Sequence, residues 1–281
     1  MSNSAGFMGS IAFVGAGNMA EAIARGMLSA SLVPAERITA ADPMNARRVY
    51  FREQLGTMTE ASAGAAVRGA DVVFLAVKPQ HMAQALADIA PHLQDDVLLI
   101  SIAAGVSIAT IEAGLVFDHR TNPVRVVRTM PNTPMLVGCG AVAIAPGTHA
   151  TPADLARTRL IFETAAVVVD VREDQLDAVT AVSGSGPAYI FWLVEQMTAA
   201  GVALGLPERT ATLLARRTAS GAGVMLQQST DSAQELRVKV TSPGGTTQAA
   251  IEHLQSHGAD SIVRSAIAAA DARGKELARA S

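Results

Sequence analysis

The sequence predicts an α/β chain, with a doubly wound sheet in residues 1–172 and an all-helical part in residues 173–281. Three observations predict it. Short, nearly continuous apolar runs alternate with helix-period segments through the first part, the pattern of a parallel sheet covered on both faces. The first run ends in a glycine-rich turn that opens directly into a helix. After about Arg172 the strand pattern stops and long helical periods take over.

In chain order, "SIAFVG" reads as a buried strand and is followed by a helix from Asn18 to about Ala30. "RITAAD" is a second strand, and a weaker one lies near "GTMT". "DVVFLAV", "VLLISIA" and "VRVVRTM" follow, each with a turn signal behind it. "GAVAIAPG" and "AVVVDV" extend the sheet around a helix that begins at Thr151 or Pro152. Four helices are then expected: Pro187 to Leu204, Pro207 to about Gln228, Thr246 to His257, and Asp260 to the end. Proline in a first turn and glycine beyond a last turn mark their limits.

Composition narrows the function classes. Hydrophobic residues make up 49% and charged residues 17% of the 281 positions, against about 25% charged in an average domain. So little charge implies surface hidden by self-association, and a homo-oligomer is expected. The net charge of −3 gives no electrostatic reason for a nucleic-acid or membrane partner. The single Cys139 excludes an internal disulfide and a cysteine-rich metal site; it reads as a small buried residue, and no metal is expected. The first ten residues, "MSNSAGFMGS", lack the features of a signal or transit peptide, and no apolar run reaches spanning length. A cytoplasmic location is expected.

"FVGAGNMAEAIARGML" places Gly15, Gly17 and Ala20 in G-x-G-x-x-G/A spacing between a strand and a helix. Gly15 permits the tight turn, Gly17 lets a pyrophosphate reach the backbone N–H groups, and Ala20 lets helix and sheet pack closely. The first part is therefore read as a Rossmann-type dinucleotide-binding domain, with Gly15, Ala16, Gly17, Asn18 and Met19 at the cofactor. Asp42 ends the second strand, where an acidic residue binds the ribose 2′-OH of NAD. Arg47 and Arg48 follow closely and suit a 2′-phosphate; the plain alternative is a helix cap by Asp42 with two solvated arginines, and NAD and NADP both stay open. "AVKPQ", "SIAAGVS" and "RTMPNTP" all follow strands and so share the carboxyl edge of the sheet. From them, Ala76, Val77, Lys78, Pro79, Ala103, Ala104, Gly105 and Asn132 are assigned to the cofactor.

"KVTSPGGTTQAAIEHL" begins the penultimate helix with more chemistry than a cap requires. A helix start offers free N–H groups and partial positive charge, two glycines bring a ligand onto the backbone, and hydroxyls add hydrogen bonds without bulk. The bland alternative is a decorated capping motif.

Taken in order, "FVGAGNMAEAIARGML", "FLAVKPQ", "ISIAAGVS", "RTMPNTP", "AVSGSGPAY" and "KVTSPGGTTQAAI" resemble the pyrroline-5-carboxylate reductase family over almost the whole chain. The resemblance implies NAD(P)H-dependent reduction of a cyclic imine, pyrroline-5-carboxylate, to L-proline. It implies a homodimer or an assembly of dimers, whose helical domains interlock so that each site joins one subunit's nucleotide domain to a partner's helices. It makes Ser242, Gly244, Gly245, Thr246 and Thr247 the substrate loop, and Thr247 the hydroxyl at the ring nitrogen. Two departures stand out. Many members carry an asparagine before "DVVFLAVKP", where this chain has Ser62 and Ala63; and Asp42 stands where NADP-preferring members often have a small hydroxyl residue. Two rivals are a 3-hydroxyacid dehydrogenase, which needs a G-x-x-x-K helix absent around Lys239 and Lys275, and a noncatalytic nucleotide-binding regulator, which needs no "SPGGTT" loop.

Overall fold

Runs of valine, isoleucine, leucine and alanine, each bounded by Gly, Pro, Asp or Ser, become strands because both their faces are covered. A computed structural model describes residues 9–116 and 122–280; of the leading segment read above for targeting signals, positions 1–8 lie outside these residues. The strands are β1 (Ile11–Val14), β2 (Ile38–Ala41), β3 (Met58–Glu60), β4 (Val72–Leu75), β5 (Leu98–Ser101), β6 (Arg125–Met130), β7 (Gly140–Pro146) and β8 (Ala166–Asp170). They form one sheet in the order β3-β2-β1-β4-β5-β6-β7-β8. The first six strands are mutually parallel, with Ile11 opposite both Ile38 and Val72. The order reverses between β1 and β4, which makes that crevice the switch point of a doubly wound sheet.

Side chains alternate between two cores. Ile11, Phe13, Val72, Phe74, Leu98 and Ile100 face one way, towards α1 (Asn18–Ser29), α2 (Asn45–Leu55) and α6 (Pro152–Phe162). Ala12, Val14, Val73, Leu75 and Leu99 face the other way, towards α4 (Met82–Ile89) and α5 (Ile108–Ala113), with the single-turn α3 (Ala63–Ala66) alongside. Phe13 stacks on Phe74 at 4.7 Å between ring centroids, and Phe162 meets Phe74 edge-on at 6.1 Å. Each fully buried ring contributes roughly 1.5–3 kcal/mol through burial.

β7 runs antiparallel to β6, pairing Val127 with Pro146. Only residues 131–139 join them, too short for the crossover a parallel neighbour needs. Thr151 then caps α6 with a reciprocal capping box to Asp154, and Pro152 takes its first position.

The chain divides into two compact units, one of residues 1–184 with 270–281, the other Ser185–Ala269. The division falls later than residue 172, where the strand pattern ends. α7 (Leu176–Val179) is helical yet belongs to the sheet, because its buried Leu176 packs on Ala143 and Ala145 of β7. A π-helical turn, Thr180–Gly184, ends this unit.

The second unit contains α8 (Gly186–Ala203), α9 (Glu208–Gln228), α10 (Ala233–Lys239), α11 (Thr246–Ser256) and the first half of α12 (Ala259–Ala280). α10 has no counterpart in the sequence reading, although Ser232 and Glu235 form its capping box. α8 and α9 pack together where Gly201 admits Ala211; a Cβ at Gly201 would lie 3.0 Å from that of Ala211. Among the described residues of this unit only Ala211 and Ala215 are buried. α8 buries nothing, and leaves Phe191 64% and Trp192 60% exposed. Among the described residues no helix is long and apolar enough to cross a membrane.

Candidate active site

The carboxyl ends of β1, β2, β4, β5 and β6 bring the expected cofactor residues of the first unit to one sheet edge. The turn after β1 is held by Gly15, at φ +102°, which L side chains rarely adopt. Its N–H donates to Ala41 O at 2.8 Å, and a Cβ there would lie 2.6 Å from Ala76 O. Gly15 thus allows the β1 turn to press against the start of "AVKPQ". Gly17 differs. It is the N-cap of α1 in extended conformation, provides no side-chain cap, and has no heavy atom within 4 Å of the place a Cβ would occupy. Glu21 N–H makes the first helical bond to Gly17 O at 3.0 Å, leaving the N–H groups of Asn18, Met19 and Ala20 without acceptors among the described residues. Free amides, a helix dipole and open space at Gly17 make a cradle that fits a pyrophosphate.

The turn is gripped from below. Ala16 N–H donates to Asp42 Oδ2 at 2.9 Å, while Arg47 Nε donates to Ala16 O at 2.6 Å. Arg47 also pairs with Glu21 at 3.0 Å and lies 4.8 Å over the Tyr50 ring. Tyr50 Oη in turn donates to Glu21 Oε1 at 2.7 Å, and Arg25 pairs with the same oxygen at 3.0 Å. Burial pushes the Glu21 carboxyl up; hydrogen bonds from Tyr50, Arg47 and Arg25 outweigh it and hold the carboxyl below its ordinary value. Sequence reasoning missed this cluster, although Glu21 and Arg25 stand one helical turn apart. Ser62, where an asparagine was noted as missing, caps α3 by accepting from Ala65 N–H.

Ala76, Val77, Lys78 and Pro79 follow β4, and Lys78 is exposed. Ala103, Ala104 and Gly105 follow β5; Ala103 is buried, and Gly105 takes φ +74° with Leu277 of α12 beside it. Asn132 follows β6, and both polar atoms of its side chain bond to backbone. Oδ1 accepts from Ala141 N–H at 2.8 Å, and Nδ2 donates to Ser183 O at 3.1 Å. It clamps "RTMPNTP" to β7 and to the π-helical turn. Arg128, buried, pairs with Glu173, which also accepts from Ile108 N–H at 2.7 Å and so anchors the start of α5. Cys139 is exposed, against the expectation of burial, because it follows the left-handed Gly138 on the outer side of the β6–β7 connection.

The expected substrate loop lies in the second unit. Ser242 to Gly245 form a turn with Pro243 second and Gly244 third at φ +68°, closed by Gly245 N–H to Ser242 O at 3.0 Å; these are the marks of a type II turn. A Cβ at Gly245 would lie 2.6 Å from Ser242 Oγ and 3.0 Å from Ser242 O, so a side chain there crowds the turn. Gly245 is the N-cap of α11 and gives no side-chain cap. Gln248 Oε1 reaches back to Gly244 N–H at 2.7 Å. Ala249 N–H makes the first helical bond, leaving the N–H groups of Thr246, Thr247 and Gln248 without acceptors among the described residues. α3, α5, α6 and α10 are capped by Ser62, Ser107, Thr151 and Ser232; here three hydroxyls stand nearby and none caps. The hydroxyls of Ser242, Thr246 and Thr247 are thus not spent on capping α11. Among the described residues no group of three His, Cys, Asp or Glu could hold a metal ion.

Known proteins match the chain in two regions. Residues 173–277 match the family described as pyrroline-5-carboxylate reductase dimerisation, and residues 10–105 match NADP oxidoreductase coenzyme F420-dependent. The chain is similar to the pyrroline-5-carboxylate reductase of Pseudomonas aeruginosa, 42% identical over 269 residues, covering 95% of this chain and 96% of that protein. It superposes on the solved pyrroline-5-carboxylate reductase of Coxiella burnetii with a TM-score of 0.88 at 35% identity, covering 96% of this chain and 99% of that one. The Plasmodium falciparum pyrroline carboxylate reductase, solved with NADP bound, matches with a TM-score of 0.83 at 28% identity, covering 96% and 98% of the two chains.

Proposed function

The chain belongs to the pyrroline-5-carboxylate reductase family, and from that premise we propose how its residues divide the work. The reaction is reduction of 1-pyrroline-5-carboxylate to L-proline by NAD(P)H, the last step of proline biosynthesis. When bound, the reduced nicotinamide supplies the hydride that the C=N carbon accepts. The free N–H groups of Asn18 and Met19 receive the pyrophosphate at the turn that Gly15, Ala16 and Gly17 shape, and Asp42 takes the adenosine ribose. Ala76, Val77, Lys78 and Pro79 line the middle of the dinucleotide, with Lys78 as a mobile cation for phosphate or ribose. The small Ala103, Ala104 and Gly105 leave room for the nicotinamide, and Asn132 stiffens the adjoining wall.

On the substrate side, the N–H groups of Thr246, Thr247 and Gln248 take the ring carboxylate at the positive end of α11. Gly244 and Gly245 let the ring rest on the backbone, and the Ser242 and Thr246 hydroxyls complete its polar surroundings. Thr247 Oγ1 hydrogen-bonds the ring nitrogen. A threonine hydroxyl is too weak an acid to protonate the imine alone, so Thr247 orients the ring, and the proton arrives from water or on a preformed iminium. Holding the reacting atoms about 3–3.5 Å apart supplies much of the acceleration.

The exposed apolar side of α8 supports a homodimer or an assembly of dimers. Covering Phe191 and Trp192, each already more than a third covered, stabilises association by roughly 1–2 kcal/mol per ring. In that assembly the α11 loop of one copy serves the coenzyme edge of its partner. The free Cys139 and the small substrate fit a cytoplasmic enzyme. The uncapped, glycine-lined start of α11 carries the reading of the substrate loop. Purified protein incubated with pyrroline-5-carboxylate should oxidise NADH or NADPH and yield proline; oxidation of neither removes the proposal.

A further inference from the structure

We infer that this chain is built for the coenzyme with a free 2′-hydroxyl on its adenosine ribose, NADH, in preference to the 2′-phosphorylated NADPH. The inference rests on the reductase reading above and deepens it. Asp42 directly follows β2 beside the switch-point crevice, the place from which an acidic side chain reaches the ribose 2′ position. Its carboxylate is fixed by two backbone donors, Ala16 N–H on Oδ2 and Met44 N–H on Oδ1, both at 2.9 Å. A carboxylate has about four acceptor sites, so each oxygen keeps a lone pair, and the side chain is only half-buried. A ribose hydroxyl can donate to it. A phosphate dianion offers no proton there and is repelled at short range.

The cations that could offset that repulsion are committed elsewhere. Arg47 spends Nε on Ala16 O at 2.6 Å and Nη2 on Glu21 at 3.0 Å, stacked over Tyr50. Turning it to a 2′-phosphate would release the turn that holds the pyrophosphate. Arg48 spends Nη1 on Asp42 O at 2.6 Å and Pro43 O at 2.8 Å, and Nη2 on Asn45 at 3.2 Å. Lys78 follows β4, two strands along the sheet from β2. The site thus keeps its negative group presented and its positive groups tied into the backbone.

The test measures binding and turnover separately on the full-length protein. Calorimetric titration with NAD and with NADP should give a Kd for NAD tighter by about tenfold or more, which is about 1.4 kcal/mol. kcat/KM with NADH should exceed that with NADPH by a similar factor. Asp42→Asn, which keeps a carbonyl acceptor for a backbone N–H, should shrink the preference to about threefold or less by admitting NADP, a change of about 0.7 kcal/mol or more on the same scale. Asp42→Ser should invert it; if that variant fails to fold, Asp42→Asn decides. Equal or tighter wild-type binding of NADP overturns the inference, as does an unchanged ratio in Asp42→Asn or binding of neither nucleotide. Preserved NAD binding with no turnover of pyrroline-5-carboxylate sinks the reductase reading instead and leaves the preference standing.

Discussion

Gly15 and Gly17 belong to one fingerprint, yet the structure gives them separable tasks. In Gly15→Ala the new Cβ lies 2.6 Å from Ala76 O and 2.8 Å from Ala76 C, at φ +102°. The left-handed conformation costs an L residue about 1–2 kcal/mol. The clash is with backbone that is itself bonded, Ala76 N–H to Val14 O at 2.8 Å, so it adds about 1–3 kcal/mol of overpacking. The sum is about 2–5 kcal/mol, or a fall of about 4–20 °C in Tm at roughly 2–4 °C per kcal/mol. In Gly17→Ala, φ is −74° and no atom stands within 4 Å, so the stability change stays below about 1 kcal/mol. Its methyl enters the pyrophosphate cradle, and coenzyme Kd should rise about tenfold or more, the equivalent of about 1.4 kcal/mol. Thermal unfolding of the apo protein and a coenzyme titration read the two effects independently. Equal Tm losses in both variants, or wild-type coenzyme affinity in Gly17→Ala, would refute the division of labour.

Three more outcomes are expected. Thr247→Ala should lower kcat/KM by about tenfold, the loss of one hydrogen bond of about 1.5 kcal/mol, with coenzyme affinity intact; a matching loss of coenzyme binding would put Thr247 elsewhere. Trp192→Glu should drive sedimentation towards monomer or precipitate the protein, and a wild-type chain that stays an active monomer contradicts the assembly. Glu21→Gln should destabilise the nucleotide unit at neutral pH and progressively less in acid. The Glu21 carboxyl sits below its ordinary value, so its stabilisation is present above that value and is lost as pH falls through the depressed one. A gap between wild type and Glu21→Gln that widens on acidification counts against the cluster.

Much of this was legible in the residues. Apolar runs between turn signals located the strands, and the glycine spacing located the crevice, because both are local consequences of backbone sterics. Thr151 and Pro152 announced α6 for the same reason. The antiparallel β7 was available too, since residues 131–139 cannot make a crossover. Ser232 and Glu235 likewise spelled a capping box before α10. Other features are tertiary and have no local signature. Nothing in "RTMPNTP" tells that Asn132 bonds Ala141 N–H and Ser183 O, one of them 51 positions away. Nothing in "ADPMNARR" tells that Arg47 and Arg48 are tied to carbonyls. Polar residues at a ligand edge can serve the ligand or the edge itself, and only the partners they find decide which.

α8 has a consequence for how the enzyme comes into being. A newly made copy can fill both cores of its sheet with its own side chains. In the proposed assembly α8 has no such shelter and waits for a collision with a second chain. Maturation of the helical half is then a second-order process: dilution delays it, and an excess of one crippled copy traps healthy ones in mixed pairs.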